Sequence, residues 1–210
     1  MRMILVPAIV TLAVTLLRLT GERLGWSRAL FNPAAGGGFA LVGIAWLVPI
    51  FGIYFALKLA RRGEGPGNPW VALGMGVVAI AINVAFGFGA NALHFGLRRT
   101  LLVFAVAAVI AVAVAIWAWP ALGRTLLLYG IAARAPVALV MLAAIIGNWG
   151  THYDVAPPGG EYVNQMAPIV KWFWIGLLPQ ATLWIMFTVV VGLIFGALAV
   201  GVVKPRPRPA

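Results

Sequence analysis

The chain has 210 residues, 63% of them hydrophobic and only 9% charged, whereas a surface that faces water ordinarily carries about a quarter charged residues. It has no cysteine, which excludes disulfides, thiolate metal sites, cysteine nucleophiles and haem attachment through CxxCH. The net charge of +11 comes from Lys and Arg flanking apolar runs, a pattern that orients membrane spans and meets anionic lipid. No basic, aromatic-bearing soluble stretch is present to bind nucleic acid.

Several apolar runs reach the roughly 20 residues that carry a helix across a ~30 Å hydrocarbon core, and none alternates as a barrel strand would. The expected fold is all-α: a polytopic transmembrane helix bundle of six spans. One integral-membrane domain covers residues 1–203, with one longer polar loop before the last span, and residues 204–210 form a basic Pro-rich tail.

The first run, behind Arg2, looks like a signal peptide's core, but no small-x-small cleavage site follows Arg18. An uncleaved span of about 3–20 is expected. Thr11, Thr15, Arg18 and Glu22 recur at steps of four, three and four and share one helical face. Two readings follow: a snorkelling Arg18 with a weak partner in Glu22, in the poorer Arg-before-Glu order, or a polar face turned into the bundle. The glycines Gly36-Gly37-Gly38 lack the Lys and Ser/Thr of a phosphate-binding loop and read as a flexible start to a second span, about 38–59, which Pro49 should kink.

The third span, about 70–93, places Gly76, Ala79, Asn83, Gly87, Asn91 and His94 on one face. Small residues there permit close helix approach, and asparagines can bond across helices; a cavity lined by the same residues is the other reading. The fourth span, about 101–119, is nearly all Ala, Val and Ile, with Trp117 and Trp119 at its end. The fifth, about 125–148, carries Arg134 near mid-depth, two residues before Pro136. A charge there costs ~2.5–3.5 kcal/mol on insertion scales. Arg134 is expected to be buried and paired, with Glu22 or with asparagine and backbone oxygens, and Asn148 falls on nearly the same face. The run 172–203 is too long for one upright span, so an interfacial or tilted piece to 178 and a sixth span of 180–203, divided by Pro179, are expected.

The polar stretch Gly147–Glu161 holds His152 and Asp154. Spans one, three and five all end on its side, which gathers Arg18, Glu22, Asn91, His94, Asn148, His152 and Asp154. His152 is therefore expected within reach of Glu22, Asn91 or His94. A His/carboxylate metal site, acid–base work by His152 with Asp154, or an anionic headgroup held by Arg18 are chemically conceivable; helix-capping by the same residues is the plainer reading. No Ser-His, GxSxG or HExxH pattern accompanies them, and no cofactor is implied. Two roles remain: a non-enzymatic transporter-like bundle or membrane subunit, with the lipid bilayer and a protein or small solute as partners, or a membrane enzyme or headgroup binder working at the 148–161 loop. Lys and Arg number eight on the side of the termini and six on the other, which places the termini in the cytoplasm of a bacterial inner or plasma membrane.

Overall fold

The computed structural model describes residues 2–38 and 40–205, without the side chain of Arg2; most of the expected tail, 206–210, lies outside the described residues. Among these the secondary structure is helical, with no strand. The helices are α1 (Arg2–Arg23), α2 (Leu47–Ala60), α3 (Pro69–Ala92), α4 (Leu97–Ala118), α5 (Pro120–Gly147) and α6 (Pro168–Val203). Five of them, all but α2, are long and apolar enough to cross a membrane.

The last helix is the centre of the bundle. It packs against α2, α3, α4 and α5, and 56% of its most apolar stretch is buried, against 22% for α1, α3 and α4. The α2–α6 contact is close because both sides present glycine: a Cβ on Gly52 would meet the Gly192 backbone at 2.6 Å. Around this seam Phe55, Leu122, Leu126, Tyr129 and Leu193 are almost wholly buried. The outward faces are apolar as well, with Val77, Phe88, Val109, Leu139 and Ile146 exposed.

Pro49, Pro136 and Pro179 behave differently from one another. Pro49 does not kink α2, because a short 3-10 turn at Ile44–Trp46 delays the helix until Leu47 and leaves Pro49 in its first turn, where a missing N–H costs nothing. Pro136 lies inside an α5 that runs unbroken for 28 residues. Pro179 does not divide the run after residue 172: α6 continues for 36 residues. It does so by loosening into π-helical turns at Phe173–Leu177 and Gln180–Trp184 on either side of the proline. Wider turns re-route the backbone bonds that the ring would block, so one long helix replaces the expected two pieces.

The third-span seam is partly as expected. Gly76 faces Ile194 of α6, Gly87 faces Phe104 of α4, and Ala79 is fully buried. Among the described residues, however, Asn83 does not bond across helices: its Nδ2 donates to Ala79 O on its own helix at 3.0 Å, and its Oδ1 has no partner.

Candidate functional site

The polar face of α1 turns inward. Thr11 and Thr15 are buried and donate to the carbonyls of Pro7 and Thr11, four residues back, which leaves their hydroxyls committed. Thr11 also meets the Tyr129 hydroxyl of α5 at 2.7 Å. One turn on, Arg18 Nε donates to Glu22 Oε1 at 2.8 Å. Its Nη2 donates to Asn32 O at 3.2 Å and Gly37 O at 2.9 Å. The glycine run is therefore a cradle for the Arg18 guanidinium. Gly37 has φ +82, and a Cβ there would lie 2.5 Å from Arg18 Nη2; glycine is needed for conformation and for space.

The polar loop closes onto the same carboxylate. His152 N donates to Glu22 Oε2 at 2.9 Å, and its Nδ1 lies 2.6 Å from Oε1. A carboxylate only accepts, so Nδ1 carries the proton. Burial pushes the His152 pKa below its ordinary value, with Arg18 acting in the same sense; the Glu22 bond and the Asp154 charge act against it. The Tyr153 ring lies against His152, tilted by 42° with ring centroids 3.8 Å apart, and its hydroxyl donates to Thr15 O at 3.2 Å. Burial raises its pKa, so it remains a neutral phenol.

Other expected members of the cluster stand apart. Asp154 turns back on its own loop, accepting from Gly150 N, Thr151 N and Thr151 Oγ1 at 2.7–2.9 Å, so it shapes the turn and does not face the His152 ring. His94 is exposed and takes φ 50 just beyond α3. Its N–H bonds to Asn91 O while Phe95 N–H reaches Ala90 O, the paired closure of a helix C-terminus around a left-handed residue. Asn91 is exposed beside it, and Asn148, also exposed, caps α5 with φ 47. Among the described residues no three of His, Asp and Glu converge in a way that could hold a metal ion.

Below this network lies a cavity of about 770 Å³ walled by α1, the segment before α2, the start of α4, α5, the polar loop and α6. Arg134 is on its wall, 5% exposed. The expected pairing with Glu22 does not form, because that carboxylate is already held by Arg18 and His152. Instead the guanidinium lies over the Trp184 ring, 4.9 Å from its centroid, and Nε has no partner among the described residues. Gln180, one helical turn before Trp184, lines the same cavity at 7% exposure. Among the described residues its Nε2 reaches only Met141 Sδ, at 3.6 Å, and its Oε1 has no partner. Gln180 and Trp184 belong to none of the motifs or spacings described above. The signal is nevertheless present: a lone glutamine within the apolar run 172–203 is as exceptional as a lone arginine.

The lining includes His152 and two hydroxyl-bearing residues. Its hydroxyls are those of Thr15 and Tyr153, both donating to backbone carbonyls. Comparison with protein families, with curated proteins and with solved structures finds no match.

Proposed function

We propose that the chain is an integral membrane protein of six spans, a non-enzymatic, transporter-like bundle that holds a small solute in the chamber beneath its polar loop. The observation that carries this reading is Arg134, a charge 95% removed from solvent on a cavity wall, with an unpartnered Nε. A cation–π contact gives ~0.5–2 kcal/mol, whereas burying a cation costs several. Trp184 therefore does not offset the burial of Arg134, and a partner from outside the chain does. α2 counts as the sixth span because, with its 3-10 start, it runs from Ile44 to Ala60, 17 residues, the lower limit for crossing a bilayer. The excess of Lys and Arg on the side of the termini supports cytoplasmic ends in a bacterial inner or plasma membrane. Reporter fusions at the C-terminus and within 155–160 then give opposite sides.

The chamber is tested with Val137→Cys in this cysteine-free chain, one turn from Arg134 on the cavity wall. A negatively charged methanethiosulfonate reagent should modify it faster than a positively charged one of similar size, and Arg134→Leu should remove that preference. Equal rates for both signs in the parent chain refute a solute site built on Arg134.

A second reading, a headgroup binder at the loop face, draws on the His152–Glu22 contact. It predicts that His152→Ala abolishes ligand retention while Arg134→Leu spares it.

A further inference from the structure

Building on the chamber reading, we infer that the solute is an amphiphilic anion: one carboxylate or phosphate-monoester head on a linear apolar body. The head contacts Arg134 and the Gln180 amide. Both side chains are more than nine-tenths buried, both line the cavity, and each keeps an unpartnered polar atom. A planar guanidinium matches the two oxygens of a carboxylate or phosphate. Turned so that its –NH2 faces the chamber, with Oε1 against Met141, the Gln180 amide donates a second hydrogen bond to the same head.

The rest of the wall selects for the body. Leu101, Val137, Trp174, Ile175, Trp184 and Phe187 line the chamber, and inorganic phosphate or acetate would leave that surface wetted. The other cation on the wall, Arg18, is occupied by Glu22 and two backbone carbonyls. The chamber thus presents one uncommitted charge to the ligand, which fits a head with one anionic centre better than a polyanion. A volume of about 770 Å³ falls within the ~300–1,000 Å³ of sites that enclose drug-sized ligands.

The test uses the full chain in phosphatidylcholine nanodiscs and measures binding through the shift of its unfolding temperature. The probes are dodecanoate, dodecyl phosphate, dodecanol, acetate and inorganic phosphate. Dodecanoate and dodecyl phosphate are expected to bind, while dodecanol, acetate and inorganic phosphate leave the transition in place. Arg134→Leu should weaken the two chain-bearing anions by ~30-fold or more, and Gln180→Leu by about tenfold. Leu101→Trp, which narrows the apolar part and spares Arg134, should weaken both as well, so the outcome does not hang on one variant's folding. If acetate or inorganic phosphate binds as tightly as its dodecyl counterpart, the amphiphile inference falls while the chamber reading stands. If dodecanol binds equally and Arg134→Leu changes nothing, the head assignment is wrong. No binding by any probe, together with equal thiol modification by reagents of both signs, removes inference and chamber reading alike.

Discussion

Arg18 and Arg134 are both buried arginines on the wall of one cavity, yet their surroundings have opposite characters. Arg18 is held by a carboxylate and two loop carbonyls, and that carboxylate also fastens the polar loop through His152. Arg134 has a tryptophan face and an unpartnered Nε. A buried charge satisfied from within fixes architecture, here joining α1, the segment before α2 and the polar loop. A buried charge left unsatisfied contributes little to the fold and is better placed to meet something from outside. Changes around Arg18 should therefore cost stability, and changes at Arg134 should cost binding.

The largest effect is expected at Glu22. Glu22→Leu leaves the Arg18 guanidinium buried without its carboxylate and unfastens His152, so unfolding in detergent should become easier by about 3–5 kcal/mol. A loss under about 1 kcal/mol would reduce the network to a surface-type ion pair. Next comes Gly37→Ala. With φ +82 and Arg18 Nη2 in the way, it should cost ~2 kcal/mol. Combined with Arg18→Leu the steric part should vanish, leaving ~1 kcal/mol of backbone strain. Full additivity of the two changes would mean that Gly37 and Arg18 do not share one site.

A smaller effect is expected from pH. Because burial holds the folded His152 pKa below its ordinary value, the unfolded chain takes up a proton first as pH falls. Stability is complete above about pH 6.5 and declines from there toward the lower folded value. Glu22 pulls that value upward, so Glu22→Gln should widen the window. Unfolding midpoints taken between about pH 7.5 and 5, with His152→Asn as the reference lacking this titration, give the slope. A wild-type slope no steeper than that of His152→Asn would contradict the assignment.

The helical class and most helix positions were legible in the sequence, because runs of apolar residues bounded by Lys, Arg, Gly and Pro mark helix ends. The spacing of Thr11, Thr15, Arg18 and Glu22 showed a shared polar face on α1, but not whether that face turns into the bundle or Arg18 snorkels outward. What periodicity could not supply was the third dimension of the loops. Nothing in Gly36-Gly37-Gly38 announces a guanidinium cradle 19 residues from Arg18. His94 and Asp154 share a sequence signature with catalytic groups and yet serve backbone geometry, one closing a helix in the left-handed conformation and one bonding its own turn. Pro179 misled because a proline is a helix breaker only where wider turns cannot absorb it, and here π turns do.

The central claim, that Arg18 serves the fold and Arg134 serves a ligand, is tested most directly by unfolding Arg18→Leu and Arg134→Leu side by side in the same nonionic detergent without added ligand. Arg18→Leu should lose about 3 kcal/mol, as expected when one partner of a buried pair is removed. Arg134→Leu should stay within about 1 kcal/mol of the parent chain or exceed it, since an apolar side chain replaces an unpaired buried charge. Equal and substantial destabilisation by both would contradict the account and make Arg134 a second structural clamp.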